Sequence, residues 1–332
     1  MSSRMAGQFA RVLHRAVLEL RQFARRRPAA HPPSPLPSRR PRLGLALGGG
    51  FARGIAHIGV LKVLTENQIT IDALAGISAG SFAAATFASG CTIEEMTSVA
   101  RNLRWSSFAR WQFPRLGFAN NERFEHLLSK VLRCRTFEQL RIPLAIVAAD
   151  ILSGEAVIFR EGDLMLPLRA SCSFPGLFAP IDDGPRMLVD GMIVGSVPTT
   201  ALREMDVIVA VHLPTKGLRE RPTNFFQVVG ECFHIAQRLS ESAWRDHADL
   251  VIEPEVGDFN WDAFSRADEL IRAGEVATRK ALPALRRLLA ERAAARTSAA
   301  AVPAGKAAFA WTASPPSTPP ARPTQVTDPL GK

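Results

Sequence analysis

The 332-residue chain is 47% hydrophobic, which is enough for one large α/β domain with extensions or for two small domains. Its net charge of +10 belongs to its ends: residues 1–42 carry +9, residues 293–332 carry +3, and the residues between them carry −2. This distribution argues against a nucleic-acid-binding core. The four cysteines are far apart and form no C-x-x-C pair, so we expect a reducing compartment, no zinc site and no disulfide framework.

Residues 1–27 predict a basic amphipathic helix. Within residues 8–26, apolar side chains recur on one helical face and most of the arginines lie elsewhere. Three interpretations stay open: a helix bound to anionic lipid, a helix docked on the protein or a partner, and an organellar transit peptide. Because the chain shows neither a transmembrane run nor a secretory signal pattern, we expect a cytoplasmic protein that can bind peripherally to the inner face of the membrane.

Composition divides the rest of the chain into three parts. Residues 28–42 are rich in proline and predict an extended, exposed linker. Residues 43–292 carry the periodic apolar patterns of the main folded domain. Residues 293–332 are rich in alanine and proline without periodicity, and we expect a disordered tail.

The folded domain begins with an apolar run, Leu43–Leu47, followed by Gly48, Gly49 and Gly50. An amphipathic pattern follows, with Arg53 in its first turns, so the segment predicts a strand, a glycine loop and a helix. A glycine loop at a helix N-terminus presents unpaired N–H groups and the positive end of the helix dipole, which suits an anion. The loop fits neither the G-x-G-x-x-G pattern nor the Walker loop, so nucleotide binding is disfavoured.

A second apolar run, Ile71–Leu74, leads into Gly76-Ile77-Ser78-Ala79-Gly80 and a helical stretch of small residues. This is the G-x-S-x-G pattern in the strand-to-helix context of a nucleophile elbow, and it makes Ser78 the candidate nucleophile. Gly76 and Gly80 would keep Cβ atoms out of the places where strand and helix pass. The pattern alone also occurs without catalysis, but together with the glycine loop it predicts a site that binds an ester oxyanion.

The remaining apolar patterns predict an alternation of strands and helices. Strands are predicted over residues 142–151, 155–160, 187–189, 206–213 and 250–253. Helices are predicted over residues 92–103, 121–133, 164–173, 225–247 and 263–292. This alternation predicts an α/β fold with a mostly parallel sheet flanked by helices on both faces. The aromatic-rich segment 105–118 has two interpretations, a lid or wall of a lipid pocket and ordinary packing of a connection.

In combination and in order, three motifs resemble the signature of the patatin-like phospholipases, in particular the bacterial branch similar to neuropathy target esterase. The motifs are Gly48–Gly54, Gly76–Gly80 and Asp190-Gly191-Met192, and residues 56–64 and 169–176 also look like that family. The resemblance implies a patatin-like α/β hydrolase fold, a Ser-Asp dyad, and no metal or organic cofactor.

The resemblance also implies a role for each motif. Ser78 would attack a lipid ester carbonyl, and Asp190 would accept its proton. The oxyanion hole would use the backbone N–H groups of Gly48, Gly49, Gly50 and Phe51, with Arg53 supporting the loop or the anion. Two residues depart from the family pattern. Met192 stands at the third place of the Asp-Gly motif, and Phe51 stands where a small residue is usual, which leaves the shape of the acyl group open.

The residues alone leave the identity of the base open. In an α/β-hydrolase triad a histidine follows the acid, and His212, His234 and His247 all follow Asp190. Of these, His212 ends a predicted strand and is expected nearest to a sheet edge. The resemblance instead favours Asp190 acting directly, which requires a carboxylate that is ionised but partly desolvated.

We therefore expect a serine acyl hydrolase that cleaves phospholipid or lysophospholipid esters through an acyl-serine intermediate. A lipid ester is the expected substrate, and an anionic membrane surface is a candidate partner of residues 8–26. Two alternatives stay open: a lipid-binding or regulatory protein that keeps the fold without turnover, and an acyltransferase in which an alcohol intercepts the same acyl-enzyme.

Overall fold

The computed structural model describes residues 40–107, 109–111, 116–217 and 221–301. The predicted N-terminal helix, the linker up to residue 39 and residues 302–332 of the predicted tail lie outside these described residues. None of the described helices is both long and apolar enough to cross a lipid bilayer.

Eight strands form one sheet at the centre of the domain. In chain order the described strands are β1 (Leu43–Leu47), β2 (Ala73–Ile77), β3 (Arg110–Trp111), β4 (Ala119–Asn120), β5 (Leu144–Asp150), β6 (Ala156–Phe159), β7 (Ile181–Asp183), β8 (Arg186–Asp190), β9 (Val207–Val211) and β10 (Leu250–Ile252). The sheet has the order β10-β9-β1-β2-β5-β8-β7, with β6 also paired to β5, while β3 and β4 form a separate pair. Neighbours from β10 to β5 are parallel and the other pairs are antiparallel, which confirms the expected mostly parallel sheet.

Helices lie around this sheet. Those described are α1 (Ala56–Glu66), α2 (Ala79–Ala88), α3 (Ile93–Asn102), α4 (Glu122–Val131), α5 (Met165–Ser171), α6 (Phe225–Leu239), α7 (Glu241–Arg245) and α8 (Ala267–Ala301). Short 3-10 turns follow the glycine loop, at Phe51–Ile55, and the end of β8, at Gly191–Ile193. A third, Thr199–Leu202, precedes β9.

The side chains of β1 show that both faces of the sheet are covered. Leu45 and Leu47 belong to the larger core cluster, which they share with residues of α1, α2, α3 and α8. Ala46 points the other way, into a cluster that includes Leu202 and Trp244 of α7. Strands that are buried on both faces read as nearly continuous apolar runs, which is why the sequence pattern identifies them.

Helix α1, which follows the glycine loop, is held by backbone contact with α8. A Cβ on Gly59 of α1 would lie 2.0 Å from the carbonyl oxygen of Ile271, and one on Gly274 of α8 would lie 2.0 Å from that of Ala56. Any side chain at either glycine would push the two helices apart, because packed interiors leave no space for it. The contact therefore fixes the start of α1, and with it the end of the glycine loop.

The structure corrects two predicted boundaries near the C-terminal end. The single helix predicted over residues 225–247 is two helices, α6 and α7, with Ser240 between them. The last helix continues to Ala301, so residues 293–301 are helical rather than disordered. Alanine has the highest helix propensity, and Arg296 donates to the Asp206 carboxylate at 2.5 Å, which holds this extension on the domain.

The folded domain also begins earlier than residue 43. The guanidinium of Arg40 donates two hydrogen bonds of 2.7 Å to the Asp72 carboxylate. The backbone N–H of Arg42 donates to the Asp206 carboxylate at 2.8 Å, and Pro41 is buried. The end of the predicted linker is therefore a docked part of the domain, because its arginines find acidic partners there.

Candidate active site

Ser78 lies at the sharp turn between β2, which ends at Ile77, and α2, which begins at Ala79. Its backbone has a φ of 52° and a ψ of −127°, a conformation that residues other than glycine rarely adopt. Its N–H donates to Ser171 Oγ at 2.9 Å, and its carbonyl oxygen accepts from the hydroxyl and the N–H of Ser81 at 2.7 and 2.9 Å. These bonds hold the strained turn that a nucleophile elbow requires.

Gly76 lets β2 meet α2 at backbone contact, and Gly80 lets α2 meet the end of β1 in the same way. A Cβ on Gly76 would lie 2.4 Å from Cα of Ser81, and one on Gly80 would lie 2.2 Å from the carbonyl oxygen of Leu47. Because each obstacle is backbone, neither position has space for a side chain. The two glycines occupy the positions that the G-x-S-x-G pattern reserves for close approach.

Strand register brings Asp190 level with Ser78. Ile77 of β2 pairs with Val147 of β5, and the next residue of β5, Ala148, pairs with Asp190 at the end of β8. The Ser78 hydroxyl donates to Asp190 Oδ2 at 2.7 Å, a short and direct hydrogen bond. The serine and the aspartate singled out by the sequence are therefore in contact.

The environment of Asp190 makes it an unusually basic carboxylate. Its side chain has no exposed surface, and burial raises the pKa of Asp190 to about 7 from its ordinary value of 3.8. The hydrogen bonds from the Ser78 hydroxyl and from the N–H of Met192, the latter at 2.9 Å, oppose that rise. A carboxylate with a pKa near neutrality is a better base for a hydroxyl than an ordinary aspartate, and much of it is still ionised at neutral pH.

The glycine loop has fewer free N–H groups than the sequence suggests. The N–H of Gly48 donates to the Val211 carbonyl at 3.0 Å, and the N–H of Gly49 donates to the Ser196 carbonyl at 3.3 Å. This corrects their assignment as oxyanion donors, because both groups are engaged within the fold. Gly49 still matters for space, since a Cβ there would lie 3.2 Å from Cβ of Ser78.

Three other N–H groups, two in the glycine loop and one on the residue after Ser78, are candidates for an oxyanion hole. No described residue accepts a hydrogen bond from the N–H of Gly50, Phe51 or Ala79. Phe51 has a φ of 50°, and Ala79 is the first residue of α2, where the helix dipole is positive. Sequence reasoning overlooked Ala79, although the residue after the nucleophile of an elbow commonly contributes such an N–H.

Arg53 places a buried cation just after the loop. Its side chain is 5% exposed, and burial lowers the pKa of the guanidinium to about 10. Its Nε donates to the Gly50 carbonyl at 3.4 Å, which is long for a hydrogen bond, and no carboxylate of the described residues pairs with it. A buried cation without a counterion stabilises an anion bound nearby, which is one of the two roles expected of Arg53.

The three histidines considered as bases lie elsewhere. His212 Nδ1 is 3.1 Å from the Glu253 carboxylate, His234 Nδ1 is 3.7 Å from that of Glu231, and His247 Nε2 is 3.4 Å from a guanidinium nitrogen of Arg203. Burial and then the charge of Arg53 lower the pKa of His234. The hydroxyl of Ser78 donates to Asp190 and to none of these histidines.

A fourth histidine holds the glycine loop. His57 is fully buried in α1, and burial lowers its pKa to about 4, so the imidazole is neutral. Its Nε2 lies 2.8 Å from the carbonyl oxygen of Gly48. The carbonyl can only accept, so His57 donates there and fixes the start of the loop.

One group of side chains in the described part of the chain has the composition of a metal site. His212, Glu241 and Glu253 bring potential ligand atoms within 4.8 Å of one another. However, one guanidinium nitrogen of Arg245 lies 2.5 Å from the Glu241 carboxylate and 2.7 Å from that of Glu253. The guanidinium already supplies the positive charge, so these residues do not fit a resident metal ion.

Two cavities meet at the glycine loop. A polar one of about 240 Å³ is lined by Gly49, Gly50 and Arg53, and by Gln237 of α6. An apolar one of about 110 Å³ begins at Ser78 and continues between α2 and α3. Ser78 lines the apolar cavity, and the polar cavity lies on the other side of the glycine loop residues Gly49 and Gly50. This arrangement suits an ester with one polar and one apolar part.

Aromatic side chains close the apolar cavity near Ser78. The ring of Phe51 lines the cavity and contacts the rings of Phe174 and Trp261 at centroid distances of 5.3 and 5.4 Å. Trp105 contacts Trp261 in turn at 5.7 Å. Trp105, the first residue of the aromatic segment 105–118, therefore packs behind the cavity wall.

Two buried serines, Ser171 and Ser173, hold the backbones of Ser78 and Asp190. Ser171 accepts from the N–H of Ser78 and donates to the Val147 carbonyl at 2.7 Å. The carbonyl of Ser173 accepts from the N–H of Asp190 at 2.9 Å. Both serines lie in a segment that the sequence marks only by its family resemblance, and only the fold shows which backbone each one fixes.

Comparisons with known proteins show which proteins this chain is similar to. Residues 45–203 match a family model described as patatin-like phospholipase. An uncharacterized NTE family protein of Mycobacterium tuberculosis is 28% identical over 271 residues, which cover 73% of this chain and 46% of that protein. A second such protein of the same organism is 36% identical over 185 residues, which cover 55% of this chain and 51% of that protein. Lysophospholipase NTE1 of Cryptococcus neoformans is 32% identical over 177 residues, which cover 51% of this chain and 11% of that protein.

The chain spans about half of the length of the mycobacterial relatives, and much less of the fungal one. The family match runs from β1 to the end of the 3-10 turn before β9, so it contains the glycine loop, the elbow and Asp190. Over residues 45–203, just under half of its length, the chain is therefore similar to the patatin-like phospholipases.

Proposed function

We propose that the chain is a serine acyl hydrolase that cleaves carboxyl esters of phospholipids or lysophospholipids with a Ser-Asp dyad. One observation carries the proposal: the 2.7 Å hydrogen bond from the Ser78 hydroxyl, on a strained elbow, to the buried carboxylate of Asp190. The free N–H groups and the apolar cavity support it, because acyl transfer needs donors for the oxyanion and room for the acyl chain. The descriptions of the family and of the fungal lysophospholipase favour a lipid ester as the substrate.

The first half-reaction transfers the acyl group to the enzyme. The Ser78 oxygen attacks the ester carbonyl carbon while its proton moves to Asp190 Oδ2. The carbonyl oxygen becomes an oxyanion, which binds the free N–H groups near Ser78 and is stabilised by the charge of Arg53. When the tetrahedral intermediate collapses, the ester C–O bond breaks and Asp190 returns the proton to the leaving alcohol. That alcohol lies toward the polar cavity.

The second half-reaction releases the fatty acid. Water takes the place of the alcohol, gives a proton to Asp190 and attacks the acyl-serine carbonyl. A second oxyanion forms on the same N–H groups and collapses with loss of the Ser78 oxygen, which regains its proton from Asp190. The net reaction is ester plus water giving acid plus alcohol, and the enzyme returns to its starting state.

An active-site fluorophosphonate probe tests the proposal on the folded protein. Wild type should become labelled, Ser78→Ala should abolish labelling, and Asp190→Asn should slow it by about 100-fold or more, the usual contribution of a general base. Ser98→Ala, at an exposed serine of α3, is the matched control and should label like wild type. Folded wild type that stays unlabelled would contradict the proposal and favour the lipid-binding alternative.

The acyltransferase alternative uses the same acyl-enzyme and differs in the acceptor. The polar cavity beside Ser78 is where an alcohol would have to bind. Mass spectrometry of the products formed with a lysophospholipid present decides between the two. Free fatty acid as the main product supports the hydrolase, whereas transfer of the acyl group to the lysophospholipid supports the acyltransferase.

We also propose that residues 8–26 bind an anionic membrane surface and bring the site to its substrate. These residues lie outside the described part of the chain, so the support is their sequence pattern of an apolar face and separate arginines.

A further inference from the structure

Helix α6 lies beside the candidate active site and is held there by one face. The side-chain amide of Gln237 donates to the carbonyl of Met192, two residues after Asp190, at 3.3 Å. The ring of Phe233 contacts that of Phe174, part of the aromatic wall of the apolar cavity, at a centroid distance of 4.9 Å. This inner face of α6 therefore joins the helix to the end of β8 and to the cavity.

The opposite face of α6 is apolar and exposed. Its members recur with the spacing of one helical face and form what we call the α6 stripe: Val228, Cys232, Ile235 and Leu239. The three aliphatic side chains are 46%, 44% and 83% exposed, in chain order, and Cys232 is exposed as well. The stripe spans about 16 Å of helix. A surface helix usually turns its apolar face to the core, so this outward stripe indicates a surface that binds another body.

More exposed apolar side chains lie at the same end of the sheet. Ile193 and Val194 are exposed in the turn that follows β8. Leu152 is exposed after β5, whose carboxyl end lies at the same edge of the sheet as that of β2. Trp261, whose ring contacts that of Phe51, is exposed too, and tryptophan is typical of membrane–water interfaces. The α6 stripe therefore belongs to a larger set of apolar side chains around the end of the domain that bears the nucleophile elbow.

The charge near α6 suits an anionic surface. Residues 214–240 carry four basic and two acidic side chains, although residues 43–292 together carry −2. Arg221, just before α6, and Arg238, in its last turn, are both exposed. An apolar helix face flanked by exposed arginines is the pattern of a helix that lies in the interface of an anionic bilayer. A second copy of the chain would instead bring two positively charged surfaces together.

We propose that the α6 stripe, together with Ile193 and Val194, inserts into the surface of an anionic phospholipid bilayer. The inner face of α6 then holds the candidate active site close to the headgroups, so a lipid reaches the cavities without crossing bulk water. This surface is additional to residues 8–26, to which the proposed function assigns membrane binding. Docking needs no turnover, so it is tested independently of the hydrolase.

A fluorescent label on Cys232 reports whether the stripe enters the bilayer. Cys232 is the one exposed cysteine of the four, all of which lie in the described residues, so an environment-sensitive nitrobenzoxadiazole reagent labels the α6 stripe of the whole chain. With vesicles of phosphatidylcholine and phosphatidylglycerol, the label emission should shift to shorter wavelength and be quenched by doxyl-labelled phospholipid. Vesicles of phosphatidylcholine alone should give a weaker signal, because they lack negative charge.

A label at the opposite end of the domain is the matched control. Ala290 is exposed on the part of α8 in which Arg292 contacts Asp249, just before β10, at 2.8 Å. This part of α8 lies at the amino edge of the parallel strands, opposite the edge that bears the nucleophile elbow. In a variant with Cys232→Ser and Ala290→Cys, the label should stay in water with the same vesicles.

Two substitutions test the apolar contact in the protein labelled at Cys232. Val228→Glu and Leu239→Glu should each lower the ratio of inserted to free stripe about tenfold, because an aliphatic side chain leaves the bilayer. Both side chains are exposed, so the fold is expected to tolerate the change. Val276→Glu, at an exposed valine of α8, is the control for added negative charge and should change the ratio less than about twofold. An equal loss in all three variants would overturn the assignment of the stripe.

Any other occupant of this surface would give a different label signal and overturn the proposal. A label that stays in water while the protein sediments with vesicles would leave residues 8–26 as the membrane contact. A label that becomes apolar without vesicles as protein concentration rises would indicate a second copy of the chain. A label that is apolar at every concentration, and becomes exposed when residues 1–27 are deleted, would indicate that the N-terminal segment covers the stripe. Fluorophosphonate labelling of Ser78 is measured separately, so either proposal can fail without the other.

Discussion

Replacing Asp190 by asparagine tests two effects of the buried carboxylate separately: its effect on the free energy of unfolding and its effect on the reactivity of Ser78. Asp190 has no exposed surface, and burial raises its pKa to about 7. Asparagine has nearly the same shape, keeps an oxygen that can accept from the N–H of Met192, and carries no ionisable group. Asp190→Asn therefore removes the buried charge with little change in packing.

The magnitude follows from the difference between the folded and unfolded pKa values. The native state keeps the Asp190 proton up to pH about 7, whereas the unfolded chain releases it near 3.8. Between these values the native state binds more protons, so the free energy of unfolding falls as pH rises. A difference of roughly 3 units at 1.36 kcal/mol per unit amounts to about 4 kcal/mol, present below pH 3.8 and lost above pH 7. Because asparagine has no ionisable proton, the variant does not lose this free energy of unfolding as pH rises.

Urea unfolding of wild type and Asp190→Asn at pH 5 and pH 8 measures the effect. The stability of the variant relative to wild type should increase by about 3 kcal/mol between the two pH values, while labelling by the fluorophosphonate is largely lost. Asp150→Asn is the control, because backbone N–H groups, that of Met187 first, lower the pKa of Asp150. A lowered pKa gives no change between pH 5 and 8, so its stability difference from wild type should be constant. Equal differences at both pH values for Asp190→Asn would refute the reasoning.

Three further predictions concern the base, the elbow and the N-terminal helix. Because Asp190 must be ionised to accept a proton, log kcat/KM should rise with pH up to about 7 and then level off. A profile that is already level above pH 5 would contradict a buried base. Ser171→Ala leaves the Ser78 N–H without an acceptor, so it should lower the free energy of unfolding by about 1–3 kcal/mol and slow fluorophosphonate labelling. If the folded variant is labelled at the wild-type rate, Ser171 contributes to stability but does not position Ser78 for reaction. Deleting residues 1–27 should reduce sedimentation with anionic vesicles at low salt, and equal sedimentation would remove the lipid-anchor interpretation.

The two strand-to-helix turns could be predicted from the sequence because their signals are local. At both Gly48 and Ser78 a run of buried residues ends at small residues, and a helical pattern begins within a few positions. Such signals depend on backbone geometry within one turn, which the residue types determine directly. The positions of the Ser78 turn and of the glycine loop therefore follow from the sequence.

Hydrogen bonds between distant segments could not be predicted in this way. The N–H of Gly48 is engaged because β9 pairs with β1 and its Val211 carbonyl lies within reach. Likewise Ser171, 93 residues after Ser78, becomes the acceptor for its N–H only when α5 packs beside β5. Which N–H groups remain free for an oxyanion is thus a property of the sheet and not of the loop sequence.

Composition could not predict the structure of the segment after residue 292, because its composition is compatible with two structures. The alanine-rich segment after residue 292 fits both a disordered tail and the continuation of a helix, since alanine combines low complexity with high helix propensity. A helix already formed by α8 needs no new nucleation to continue, and the ion pair between Arg296 and Asp206 joins its extension to the domain. The deciding contact lies 90 residues away in the sequence.

The direction of β8 explains how the Asp190 carboxylate reaches Ser78, the candidate nucleophile. Because β8 runs antiparallel to β5, it starts beside the carboxyl end of β5 and runs back along it. It ends at Asp190, level with Ser78. The chain then passes β5 at Gly191, where a Cβ would lie 2.5 Å from the Val147 carbonyl oxygen. This close passage lets the short carboxylate side chain meet the Ser78 hydroxyl at 2.7 Å with no histidine between them. It also removes the carboxylate from water, so one packing contact gives the base both its reach and its raised pKa.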